Sequence, residues 1–518
     1  MIKQAAVLGA GTMGVRIAAH LANAGIPVVL LDLSAEPGKP SIAETALQAL
    51  TKAKPAAFYD PASLKLIQSG TFDQDLSRLA PCDWVIEAVI ETLSVKQEIL
   101  TRITPFLKPG VILTTNTSGL PVASIAQHLS PELRRSWFGT HFFNPPRYMR
   151  LLELIPTPET DPAAITAVAE FADRRLGKSV VYAHDTPNFI ANRIGVYVMV
   201  QAIELMQQQG LTIEEVDVLT GSALGWPRTG IFRLADMVGI DVLAHVVANF
   251  AQSNSSEGLD LPPFVKTMLE QRWLGDKTGR GFYKKDKDAE GKEVRLALDW
   301  QTIAYRSATR PKFPSIEMAK NAESLPERLR LLMTGDPRKD KAAAFQSELL
   351  KRLFAYSEKC LTEIADEPAS VDQAMRTGFN WELGPFQMWD AVGTRTECWY
   401  KNGSVFSPAR SQYVPIVQPQ GIATVADFRR SNGTVKGNAG ASLIDIGEGI
   451  AAIELHSKKD AVGEDITRLV TQVLSPNSDA VRDFQGFIIT GDGANFSVGA
   501  NLLQVLLLIQ EGEWDDLD

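Results

Sequence analysis

The sequence predicts an α/β fold: a doubly wound, mainly parallel sheet, then a duplicated all-helical part, then a short α/β segment. Three observations predict it. A glycine-rich turn sits inside a complete strand–turn–helix–strand unit at the start, and alternating strand and helix patterns continue to residue 155. Further on, a tryptophan-centred pattern at Trp226 returns at Trp381, the mark of an internal repeat.

Residues 2–8 read as a buried strand, and Gly9-Ala-Gly11-Thr12-Met13-Gly14 follows at once. Residues 15–24 then form a helix ended by Gly25, and residues 28–31 a second strand ending in Asp32. In this context Gly9 permits the tight turn, and Gly11 lets the backbone approach a pyrophosphate at the helix N-terminus. Gly14 allows close helix–strand packing. Thr12 and Met13 complete the cofactor turn. Asp32 is placed to accept from ribose hydroxyls, and no arginine follows it to meet a 2′-phosphate, so NAD is favoured over NADP.

Residues 35–80 read as a polar, helix-prone insertion with helices at 43–54 and 61–70. Strands follow at 82–88, 111–115, 138–143 and 151–155, with a helix at 93–107. In open sheets of this kind ligands lie beyond the carboxyl ends of the strands. Asp32, Glu91, Ser118 and His141 all fall at or just after such ends. His141 is one of six histidines, and Glu153 follows on the next strand. A glutamate there can fix the imidazole tautomer and leave the other ring nitrogen as a base. The plain alternative is a core histidine beside an unrelated glutamate; the shared strand-end placement favours chemistry.

Thr186-Pro187 reads as the opening of a long helix with Asn192 in its second turn. Helices at 213–224, 231–250 and 262–272 come next, followed by Asp276-Lys277-Thr278-Gly279 and a charged connector at 284–292. Trp226, Phe232, Asp236 and Gly239 return as Trp381, Phe386, Asp390 and Gly393, and Asp217 and Asp372 each precede their tryptophan by nine positions. The second copy lacks the Asn-Arg pair of the first; its nearest counterpart is Lys351-Arg352, and its expected role is structural. A Gly/Pro/Ser/Asn-rich linker, a hairpin at 442–456, a helix at 463–475 and a strand at 486–490 complete the chain. The expected divisions are 1–185, 186–300, 301–405, a linker at 406–440, and 441–518.

The fingerprint, Asn116-Thr117-Ser118, His141-Phe-Phe-Asn144-Pro145 and Pro187-Asn-Phe-Ile-Ala-Asn192-Arg193 together resemble NAD-dependent 3-hydroxyacyl-CoA dehydrogenases of fatty-acid β-oxidation. The resemblance covers about residues 1–285 and implies a Rossmann-type sheet. It implies His141 as catalytic base, Glu153 as its orienting partner, and Ser118 and Asn192 as holders of the substrate oxygen. Glu91, Lys96, Asn144 and Lys277 match cofactor contacts. Gly119 departs from the second serine of many relatives. Residues 441–518 resemble the first half of the crotonase (enoyl-CoA hydratase/isomerase) fold, with one oxyanion donor near Ala461. The second donor and the catalytic glutamates are expected to lie beyond this sequence. The expected substrate is an acyl-CoA thioester. A homodimer, a chain completing the crotonase half and a thiolase subunit are the partners the resemblance admits.

Composition bounds these readings. With 52 Lys and Arg against 61 Asp and Glu, the net charge is −9 and there is no basic block, so nucleic acid is excluded as the main partner. Three scattered cysteines fit neither a disulfide framework nor a Cys-rich metal site, and no metal is expected. No stretch approaches the roughly 20 apolar residues of a membrane span. The expected location is cytoplasmic. Two rival functions remain: a dehydrogenase of small free β-hydroxy acids, which uses a helical lysine as base, and a non-catalytic NAD-binding scaffold.

Overall fold

The computed structural model describes residues 2–36, 39–252, 259–287, 290–322, 324–416, 423–491, 493 and 495–514. The chain divides into two compact units, Met1–Ile416 and Val417–Asp518.

The first unit is built on an eight-stranded sheet: β1 (Ala5–Leu8), β2 (Val28–Asp32), β3 (Ile67–Thr71), β4 (Trp84–Glu87), β5 (Ile112–Thr115), β6 (Trp137–Phe142), β7 (Leu151–Pro156) and β8 (Ser179–Tyr182). Its order is β3-β2-β1-β4-β5-β6-β7-β8. All neighbours run parallel except β6 and β7, which pair antiparallel. Both faces are covered: Ala6 and Leu8 of β1 join one apolar cluster, Ala5 and Val7 the other. That double burial explains why these strands read as continuous apolar runs. The α/β reading with a doubly wound Rossmann-type sheet holds. β3 and β8 were not expected, and the helix expected at 61–70 is a 3-10 helix over Pro61–Leu66 that gives way to β3. Ile-Gln-Ser-Gly-Thr carries little apolar signal because β3 lies at the sheet's edge.

The helical part starts later than expected. Residues 187–190 form turns, with Asn188 and Phe189 at φ of 63° and 51°, and the helix runs Ala191–Gln209. Asn192 therefore lies in its first turn. The helix expected at 231–250 is broken at Gly239 (φ 113°) into Gly230–Val238 and Ile240–Gln252. The charged run at 284–292 is no simple connector: β9 (Tyr283–Lys287), β10 (Glu293–Asp299) and β11 (Ala304–Ser307) form an antiparallel sheet. β12 (Tyr400–Lys401), β13 (Ser404–Ser407) and β14 (Gln412–Pro415) form a second one that runs into the start of the expected linker.

The repeat extends to hydrogen bonding. Asp217 accepts from the Phe232 and Arg233 amides and the Tyr283 hydroxyl; Asp372 accepts from the Phe386 and Gln387 amides and the Tyr400 hydroxyl. Asp236 holds the Phe282 and Tyr283 amides as Asp390 holds those of Trp399 and Tyr400. Each carboxylate thus caps one helix or strand start with orphan donors. The copies meet where Trp226 stacks on Trp381, ring centroids 4.3 Å apart. The long helix of the second copy, Lys341–Ile364, packs along Ala191–Gln209.

The second unit holds β15 (Lys436–Gly437), β16 (Ala441–Gly447), β17 (Ile450–Leu455) and β18 (Gly486–Thr490) in that order, with β16 and β17 as the expected hairpin. The helix Glu464–Leu474 buries Ile466, Leu469 and Val473 against the sheet. Of the expected linker, residues 425–432 form a helix.

Candidate active site

His141 and Glu153 are direct partners across the β6/β7 register. The antiparallel pairing puts both side chains on one face, and His141 Nδ1 lies 2.7 Å from Glu153 Oε2. Both are buried, at 4% and 0% exposure. The other carboxylate oxygen, Oε1, accepts from the amides of Ile190 (3.2 Å) and Ala191 (2.9 Å) at the start of the Ala191–Gln209 helix. A negative charge there is favoured by free amides and the helix dipole. Glu153 is therefore held from two sides. Phe143 and Phe189 flank the imidazole at centroid distances of 4.7 and 5.5 Å. This arrangement donates Nδ1–H to the carboxylate and leaves Nε2 as the free ring nitrogen.

A second group lies beyond β4 and β5. Lys96 Nζ is 1% exposed and reaches Glu87 Oε1 at 2.9 Å and Glu91 Oε2 at 3.2 Å. Thr115 donates its hydroxyl to Glu87 at 2.6 Å. Glu91 in turn accepts from the Thr117 hydroxyl (2.5 Å) and the amides of Ser118 (2.8 Å) and Gly119 (3.3 Å). Burial pushes the Glu87 carboxyl up, with Lys96 opposing it. For Glu91 burial also works upward, but Lys96, Thr117 and the Ser118 amide outweigh it and hold the carboxyl low. The cluster shapes the loop that presents Ser118. Asn116 ties the same loop to β6 by accepting from the Phe142 amide at 2.9 Å.

A third group is the fingerprint turn. A Cβ at Gly9 would lie 2.6 Å from the Ala88 carbonyl oxygen, and one at Gly14 would collide with Gly9 itself. At Gly11 the same Cβ would meet nothing within 4 Å. Gly9 and Gly14 thus serve packing, whereas Gly11 faces open space that a dinucleotide backbone can enter. The Gly14–Asn23 helix has no side-chain cap and no acid in its first turn, which leaves its amides to an anion. Asp32 accepts from the Ala10 amide at 2.5 Å and the Leu33 amide at 2.6 Å, so it braces the turn it was expected to serve. Its oxygens retain capacity for further donors. The donor set fits a dinucleotide.

Other expected cofactor residues stand differently. Lys96 is spent on two carboxylates inside the protein. Lys277 pairs with Asp241 in the helical part. Asn144 is exposed at the turn after β6. That turn is anchored from below by Lys178, which is buried and donates to the carbonyls of Pro146 and Met149; burial lowers its ammonium to about 7. Gly119 has a local reason: a Cβ there would lie 2.6 Å from the Asn249 amide nitrogen. Glu87 was not anticipated, although a carboxylate ending an apolar strand, with a lysine nine residues on, was the available signal.

The comparisons agree with this architecture. Residues 4–186 match the family described as 3-hydroxyacyl-CoA dehydrogenase, NAD binding domain, and residues 189–285 match its C-terminal domain. A Bacillus subtilis protein named probable 3-hydroxyacyl-CoA dehydrogenase is 38% identical across 100% of this chain and 70% of its own length. A Rickettsia felis protein named putative fatty acid oxidation complex trifunctional enzyme is 30% identical across 100% of this chain and 71% of its own. The crystal structure of Escherichia coli 3-hydroxybutyryl-CoA dehydrogenase shares the fold, with a TM-score of 0.57 at 23% identity over 76% of this chain and 92% of that one. Among the described residues no helix is long and apolar enough to cross a membrane. The chain belongs to the NAD-dependent 3-hydroxyacyl-CoA dehydrogenase family.

Proposed function

We propose that this chain oxidises L-3-hydroxyacyl-CoA to 3-ketoacyl-CoA with His141 as the base and Glu153 as its orienting partner. The observation that supports it most is the 2.7 Å His141–Glu153 pair, with the second carboxylate oxygen held by the Ile190 and Ala191 amides. His141 Nε2 takes the proton of the 3-hydroxyl, and Glu153 stabilises the imidazolium formed. Ser118 and Asn192 donate to the substrate oxygen and steady its charge. The fingerprint turn and Asp32 would hold NAD, which would supply the hydride acceptor. Falling NADH absorbance with acetoacetyl-CoA tests the reading in reverse. Comparable turnover of a small free 3-keto acid would overturn the thioester assignment in favour of the free-acid rival.

Asp32 sets the cofactor preference in this reading, because a carboxylate accepts from ribose hydroxyls and repels a 2′-phosphate. Asp32→Ala is expected to weaken NAD binding and narrow discrimination against NADP. Equal kcat/KM for NAD and NADP in the unmodified enzyme would defeat the assignment.

The second unit supports a separate partner. Its edge strand β18 exposes Ile488 and Ile489, and its helix Leu502–Glu511 exposes Leu502, Leu503, Leu506 and Leu507. The exposed apolar face of that helix marks an interaction site. We assign it to a segment completing the crotonase-type fold. Coexpression with such a segment should give a stable complex that hydrates crotonyl-CoA, and Leu503→Glu with Leu506→Glu should abolish it. Failure to form any complex would remove the assignment. The domain divisions given above, a homodimer, a thiolase partner and a cytoplasmic location complete the proposal. The location is supported by three unbridged cysteines, and light scattering checks the assembly state.

A further inference from the structure

We propose that Glu363, on the long helix of the second repeat, is a positioning residue for the active site and acts through Arg193. The inference rests on the reading of His141, Glu153 and Asn192 given above. Arg193 follows Asn192 directly, and its guanidinium is 1% exposed. It makes two parallel bonds to Glu363, at 2.7 and 2.8 Å, and a third at 3.1 Å to the Tyr356 hydroxyl. Such a fork fixes position and angle together. One turn further along, Tyr197 stacks on Tyr356 with centroids 3.6 Å apart.

The same stretch of the second repeat grips the other end of the segment. The His184 amide donates to the Ile364 carbonyl at 3.0 Å, and the His184 ring bridges the Glu363 carbonyl and the Asp366 carboxylate. Between the two grips lie Asn188 and Phe189, both with left-handed backbones. Phenylalanine seldom adopts that conformation, and it persists only where the surroundings enforce it. The enforced turn sets the Phe189 ring against His141 and aims the Ile190 and Ala191 amides at Glu153. The grip from residues 356–366 therefore fixes three things at once: the imidazole's neighbour, the carboxylate's donors and the start of the Asn192 helix. Structural support alone would need none of this alignment.

Steady-state kinetics of Glu363 variants, with controls, test the idea. Glu363→Ala should lower kcat by about 10- to 100-fold, the cost of misplacing reacting groups by around an ångström. The KM for NAD should stay unchanged, because the fingerprint turn is not touched. Glu363→Gln, which keeps one acceptor, should fall between Glu363→Ala and the unmodified enzyme. Arg352→Ala is the control: Arg352 joins the same two helices through Gln201 and Glu204, and its loss should lower the melting temperature without lowering kcat. If Glu363→Ala does not fold, Glu363→Gln and Arg193→Lys must each show reduced kcat at unchanged KM for NAD. Unaltered kcat in the folded Glu363 variants would overturn the proposal, as would an equal loss in Arg352→Ala. His141→Ala, measured alongside, separates the two readings. If it keeps its turnover the dyad assignment fails; if only the Glu363 variants keep theirs, the coupling alone fails.

Discussion

His141→Ala is expected to lose about 10²–10⁴-fold in kcat while binding NAD normally, because the imidazole acts on the substrate proton and not on the cofactor. Glu153→Gln should cost less and should lower kcat more than it raises KM. The amide can still accept one bond, but it no longer stabilises the imidazolium, and it presents an NH₂ where two amides donate. An effect on kcat and kcat/KM by the same factor would mark an interaction made in the transition state. Fluorescence titration with NADH checks that the cofactor site survives. Near-normal kcat in His141→Ala would end the base assignment, and the free-acid and scaffold readings would return.

The parts of this site that were legible in the sequence are those whose signals are local. Gly9 to Asp32 declares itself because each glycine has a steric job within one strand–turn–helix unit. His141 and Glu153 were legible because a short turn joins their strands and the antiparallel register then makes them face. What stayed hidden depends on distant partners. Arg193 and Glu363 are 170 positions apart, and although Arg193 stands in a recognisable motif, nothing local marks Glu363 as its partner. The start of the Ala191–Gln209 helix was misplaced because Pro187 is a good first helical residue, yet Glu153 takes up the Ile190 and Ala191 amides and the turn before them is left-handed. The small sheets after each repeat were read as connector and linker. Their strands are short and largely polar, and their starts are fixed by Asp236 and Asp390 from earlier helices. Lys96 and Glu91 match cofactor contacts by resemblance; in the structure Lys96 pairs with Glu87 and Glu91, and Glu91 accepts from the amides of the Ser118 loop.

The Lys96 cluster is also where a single substitution should cost the most stability. Lys96→Met should destabilise the first unit by about 3–5 kcal/mol, since removing one partner of a buried ion pair leaves uncompensated charge behind. Two carboxylates are left here, Glu87 with no exposure and Glu91 partly covered. Burial already works against the charge on Glu87, so it should take up a proton in the variant, while Glu91 loses its main cation. The Ser118 and Gly119 amides then lose the geometry of their shared acceptor, and kcat should fall with stability. Adding Glu87→Gln to Lys96→Met removes one of the stranded charges and should restore part of the lost stability, a coupling that a double-mutant cycle by urea denaturation can measure. A lysine serving chiefly the cofactor predicts the opposite pattern. In that case Lys96→Met would raise the NAD dissociation constant, leave the urea midpoint in place, and show no coupling to Glu87.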